Sequence, residues 1–100
     1  MAGKKIIWSK RANSELFKTL DFFTERNGNN LYALKILNKL EQRLKLLSEN
    51  ELMGRPTSNN VIRILNMDVY FIFYEIGQEN IEIVSFWDNR QDPDFRIDSP

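Results

Sequence analysis

The sequence predicts an α+β domain with the order β-α-α-β-β-β, an antiparallel sheet carrying a helical hairpin on one face. Three observations predict it. Two stretches with apolar residues at helical spacing follow one another across a short Asn/Gly link. Three runs rich in Val, Ile, Phe and Tyr come next, between Val61 and Asp88, separated by breaks short enough for antiparallel hairpins. Strands gathered after helices, rather than alternating with them, point to segregated layers.

Taken in order, Lys4 to Trp8 is a short apolar run and reads as a first strand. Ser9 stands where a helix N-cap belongs. Ala12, Leu16, Leu20 and Phe23 then repeat at helical spacing, with Phe17 widening the stripe, so a helix is expected over Lys10–Arg26. Gly28 suits the left-handed residue after a helix end. A second helix starts near Asn30 or Leu31 and fades at Ser48–Asn50. Its apolar positions are Ala33, Leu34, Leu37, Leu40, Leu44 and Leu47, with Ile36 adjacent, and Lys35, Lys39 and Arg43 form a basic line on another face. The short link makes the pair antiparallel. Glu51 to Asn60 is a polar connection in which Pro56 and Asn59-Asn60 argue against regular structure, and it is the expected mobile segment.

In the central run, Tyr70, Ile72, Tyr74 and Ile76 alternate with Val69, Phe71, Phe73 and Glu75. Both faces are apolar, as for an inner strand. Arg63 projects from the sheet face opposite to Ile62 and Ile64. In the last run Ile81, Ile83, Ser85 and Trp87 fall on one face, and Glu82, Val84, Phe86 and Asp88 on the other. The tail, from about residue 94 to 100, shows no periodicity and is expected to fray. One helical layer covers one sheet face, so the second face is expected to be open, to carry an arginine and to meet a partner.

One hundred residues make one domain, residues 1–100. The chain has no Cys and no His, which excludes disulfides, Cys/His zinc sites, a His general base and a Cys nucleophile. No metal site and no cofactor is expected. No apolar run is long enough for a signal-peptide core or a membrane span, so a cytoplasmic protein without membrane contact is expected. The net charge of zero hides an asymmetry. Residues 1–50 hold ten Lys/Arg against five Asp/Glu, a net +5, and residues 51–100 hold four against nine, a net −5. A basic first half suits an acidic partner or phosphates.

Several features recur in a familiar order: Ile6-Ile7-Trp8-Ser9 before the Ala12/Leu16 helix, a Leu-rich second helix with Lys and Arg, and Gly54-Arg55. Ile62-Arg63-Ile64-Leu65, the aromatic strand Tyr70 to Tyr74, and Trp87-Asp88-Asn89-Arg90-Gln91-Asp92-Pro93 complete the set. From about Lys5 to Pro93 the chain resembles the RelE/ParE superfamily of toxins from bacterial type II toxin–antitoxin (plasmid stabilisation) systems, and within it the ParE-like branch. The resemblance implies a cognate antitoxin as partner. It implies one of two targets: DNA gyrase, poisoned without cleavage, or mRNA cut on the ribosome by a RelE-like endoribonuclease. A folded but harmless interaction module is a third reading.

The ribonuclease members carry an Arg just after the Tyr of the central strand, where this chain has Phe71. They also carry a Tyr or His near the C-terminus, where this chain has Phe95 and Arg96. These departures favour the non-cleaving gyrase reading. If the chain cleaves, Arg63, Tyr74 and Arg90 are the catalytic candidates. Lys35, Lys39, Arg43, Arg63, Trp87 and Arg90 are the expected partner-binding residues.

Overall fold

The computed structural model describes residues 3–99. The elements are β1 (Lys5–Trp8), α1 (Lys10–Asn27), α2 (Leu31–Glu49), β2 (Arg55–Pro56), β3 (Ile62–Met67), β4 (Tyr70–Ile76) and β5 (Asn80–Asp88). A 3-10 turn follows at Pro93–Phe95. The sheet order is β1-β5-β4-β3-β2, with β4 inside as its two apolar faces require.

Local chemistry sets the helix ends. The Ser9 hydroxyl accepts the Ala12 N–H at 3.0 Å, satisfying one of the orphan donors of α1. Gly28, at φ 71°, takes the left-handed C-terminal conformation and returns its N–H to Thr24 O at 3.0 Å. The buried positions are Ala12, Leu16 and Leu20 on α1, and Ala33, Ile36, Leu40 and Leu47 on α2. They pack on Leu65, Met67, Tyr70, Ile72, Tyr74, Ile81, Ile83 and Phe86 of the sheet. Phe17, Leu34 and Leu37 do not join this core and stay 53%, 53% and 38% exposed. Each apolar stripe is wider than the seam the hairpin can bury, so its outer members face solvent.

Four expectations are corrected. The sheet is mixed, because β1 runs parallel to β5 (Lys5↔Asn80 to Trp8↔Ile83) while the other pairings are antiparallel. The helical hairpin returns the chain to the end of the sheet where β1 starts, and the β3–β4 hairpin returns it there again, so β5 runs in the same direction as β1. The polar connection is partly regular. Arg55 and Pro56 pair with Ile64 and Arg63 at the sheet edge, a position that tolerates proline. Third, the alternation in β5 breaks. Pairing shifts between Phe73↔Ser85 and Tyr74↔Ile83, leaving Val84 as an extra residue, a β-bulge. Phe86 therefore joins Ile81 and Ile83 under the helices, and Val84 and Trp87 join the opposite face.

The fourth correction concerns the face away from the helices. It is a second apolar cluster of Ile64, Phe73, Val84 and Trp87, flanked by Ile62 and Phe71, and Ile97 of the tail packs on it. The Arg96 guanidinium lies 5.0 Å from the Phe71 ring centre and 5.4 Å from that of Phe73, and it grips Asp98 at 2.9 and 2.6 Å. Arg11 of α1 donates to Phe95 O at 3.0 Å. The described part of the tail is docked rather than frayed; Pro100 lies outside the described residues.

Candidate functional site

The sequence-derived candidates are not brought together. Arg63 does not project from an open face. It shares the helix side with Leu65 and Met67, and its Nη2 donates to the carbonyls of Leu52 (3.2 Å) and Gly54. Tyr74 is fully buried. Its hydroxyl accepts the Gly54 N–H at 3.0 Å and donates to Glu51 O at 2.8 Å. Both side chains thus pin the connection into β2. Gly54 is fixed by the same packing, since a Cβ there would stand 2.7 Å from the Tyr74 hydroxyl and 2.6 Å from Ile64 O.

Arg90 lies at the other end of the sheet. Tyr74 pairs with Ile83, whereas Tyr70 pairs with Asp88, and four residues of strand span about 13 Å. Asp88 accepts from Arg90 Nε at 2.9 Å, Arg90 Nη2 at 2.7 Å and the Arg90 backbone N–H at 2.9 Å. The guanidinium sits 5.8 Å from the Phe23 ring centre. Burial works to raise the Asp88 pKa, but the Arg90 hydrogen bonds outweigh it and hold the carboxyl below its ordinary range. The same bond to Asp88 raises the Arg90 pKa further, so the guanidinium is always charged.

Of the basic line on α2, Lys39 binds Asp68 at 2.7 Å, and this hydrogen bond is the main cause of a lowered Asp68 pKa. Lys35 and Arg43 are exposed and have no ion-pair partner among the described residues. Trp87 is 6% exposed, and its indole Nε1 finds no partner among the described residues.

A concavity of about 620 Å³ lies between α1 and the last residues of β5, lined by Glu15, Lys18, Thr19, Phe22, Phe23, Arg26, Phe86, Trp87, Asp88, Arg90 and Gln91. Arg90 and Trp87 are in it; Lys18, Phe22 and Arg26 were missed. Their signal was available, because Arg11, Lys18, Phe22 and Arg26 share one stripe of the helix at near-heptad spacing, among residues assigned to no apolar face. What the sequence could not supply was that this stripe lies beside β5. A second, shallow groove of about 390 Å³ lies on the hairpin, lined by Trp8, Asn13, Leu16, Leu37, Leu40, Glu41 and Leu44.

The α1–β5 groove brings together cations and aromatic rings, while Tyr74 and Arg63 are committed elsewhere. Among the described residues no three acidic side chains gather where a metal ion could sit, and no helix is long and apolar enough to cross a membrane.

Comparison with known proteins agrees with this architecture. A solved structure titled "Chromosomal ParDE TA system from P. aeruginosa" matches with a TM-score of 0.70 at 21% identity, over 83% of this chain and 92% of that one. At that identity the likeness speaks for the fold. No curated protein sequence matches. The family model described as "ParE toxin of type II toxin-antitoxin system, parDE" matches residues 6–93, nearly the whole chain. The chain therefore belongs to the ParE toxin family of type II toxin–antitoxin systems.

Proposed function

We propose that the chain is a growth-inhibiting toxin that a cognate antitoxin keeps silent, and that it acts by binding DNA gyrase rather than by cutting RNA. One observation carries the choice between the two. Cleavage at a 2′-hydroxyl needs a base, an acid and a charge-offsetting cation within hydrogen-bond reach of one phosphate. Here Tyr74 and Arg63 are spent on the carbonyls and amide of residues 51–54, at the far end of the sheet from Arg90. A binding mechanism needs no such assembly.

Neutralisation has a surface to use. Leu34 and Leu37 are exposed beside the hairpin groove, with Lys35 and Arg43, which have no ion-pair partner among the described residues, on the same helix. An amphipathic antitoxin helix with acidic flanks complements that combination. Arg63 drops out of the partner-binding set because it faces its own chain.

The test is induction of this chain alone in a bacterial host. Growth arrest with DNA-damage signalling and intact mRNA supports gyrase poisoning. Rapid mRNA loss that Arg90→Ala removes would replace that reading with cleavage, and no toxicity would replace it with an interaction module. Co-expression of the reading frame adjoining the gene should restore growth.

A further inference from the structure

The tail that covers the second sheet face stands outside the family domain. The family match ends at residue 93, and the covering contacts come from Phe95 to Asp98. Its anchors are light. Ile97 packs on the cluster of Ile64, Phe73, Val84 and Trp87. The Arg96 guanidinium lies over Phe71 and Phe73 and is held there by Asp98. Arg11 donates to Phe95 O at 3.0 Å. The fit is also incomplete. Phe95, the largest apolar side chain of the tail, is 71% exposed. Trp87, buried in the cluster, keeps an indole N–H with no partner among the described residues, and a buried donor left unpaired counts against the closed arrangement.

Beneath the tail, Ile62, Ile64, Phe71, Phe73, Val84 and Trp87 come from three neighbouring strands, β3, β4 and β5. Bared, they would form the kind of contiguous apolar patch that marks a protein contact. The rim of this patch carries opposite charges on opposite sides. Glu75 pairs with Ile62 and with Glu82, so both carboxylates stand on this face at its β4–β5 side. Arg55 pairs with Ile64 and stands on the β2 side, 5.1 Å from the Phe71 ring centre. Arg55, Glu75 and Glu82 have no ion-pair partner among the described residues. Two like charges directly across neighbouring strands are unfavourable until a cation joins them.

We propose that residues 94–99 are a releasable cap that keeps the chain a monomer, and that when the cap lifts the bared face pairs with the same face of a second copy of this chain. Charge complementarity selects that occupant. A two-fold axis along the strands, over the middle of β2 to β5, lays β2 of one copy across β5 of the other. Arg55 of each copy then meets Glu75 and Glu82 of the other, and the two apolar clusters close the centre as in an aligned sandwich. A nucleic acid on the same face would meet two carboxylates instead. The cap and the self-pairing stand apart from the toxin reading, and growth arrest plays no part in their test.

Sedimentation velocity over a concentration series compares the full chain with two full-length variants. Arg96→Ser/Ile97→Ser removes the side-chain anchors of the cap, and Asp98→Asn only unties Arg96. Hydrogen exchange follows the cap in the same samples. The wild type should stay a monomer. Both variants should exchange the amides of residues 94–99 faster. The double variant should dimerise at least tenfold more tightly than the wild type, and Asp98→Asn should move the same way by less. In the double variant, adding Arg55→Glu should weaken the dimer about tenfold, and Glu82→Arg on top of it should restore the pairing. Should the double variant misfold, the charge changes are made on Asp98→Asn, which leaves the packed side chains in place. A wild type that dimerises as tightly as the variants, a cap whose exchange is unchanged, variants that stay monomeric, or a dimer indifferent to Arg55→Glu would each overturn the proposal.

Discussion

At the scale of single residues, the structure turns two arginines and a tyrosine into different things. Tyr74 bridges Gly54 and Glu51 from within the core. Replacing it by Phe keeps the ring and strands a buried amide and a carbonyl, so Tyr74→Phe should lose about 1–3 kcal/mol in urea unfolding, with faster amide exchange at residues 51–57. A catalytic phenol would instead give unchanged stability and lost toxicity. Arg90 owes its position to Asp88. The folded Asp88 pKa lies below the unfolded value of about 3.9, so this pair contributes stability above that value and loses it as pH falls through the lower folded pKa. Asp88→Asn should therefore flatten the acid limb of the stability profile below about pH 4 and leave the neutral-to-basic range parallel to the wild type. Sequence spacing made Asp88 and Arg90 neighbours. That Phe23 of a distant helix lies beneath the guanidinium could not be read from it.

At the scale of elements, the helices were the most legible part, because their ends are decided by local chemistry. Ser9 and Gly28 do at the termini of α1 what their side chains dictate anywhere. Ser9→Ala should cost about 1 kcal/mol, measured by thermal or urea unfolding, since the Ala12 N–H loses its acceptor. The last strand was legible only up to its bulge. One extra residue, Val84, inverts the facing of everything after it, which puts Phe86 under the helices and Trp87 on the other side. No periodicity announces such a slip, because the register belongs to the partner strand as much as to this one. The tail was misread for a related reason. It has no period of its own, and it is ordered by what it lands on: Ile97 on the second cluster and Arg96 above Phe71 and Phe73. Ile97→Asp should expose that cluster, lower stability by about 1–3 kcal/mol and raise binding of an apolar dye.

At the scale of the molecule, two layers and a strap leave little of the sheet free, and the antitoxin recognition proposed above falls on the hairpin surface. Leu34 and Leu37 contribute little to the core at 53% and 38% exposure. Leu34→Ser/Leu37→Ser should then shift the unfolding midpoint only slightly while weakening antitoxin binding at least tenfold, read by co-purification and calorimetry. A change confined to stability would remove that surface from the proposed interface. The charge asymmetry has a structural sense too. The positive first half is largely the two helices, where Lys18, Arg26, Lys35 and Arg43 face outward without ion-pair partners among the described residues.

From residue order alone came the element types, the helix ends, the inner position of β4 and the resemblance to a toxin family, because periodicity and capping act over a few neighbouring residues. Direction, phase and cover were settled only in three dimensions. The parallel pairing of β1, the bulge at Val84, the docked tail and the seating of α1 along β5 each depend on which segment lies beside which. Contacts of that kind, made between residues dozens of positions apart, leave no period in the chain that makes them.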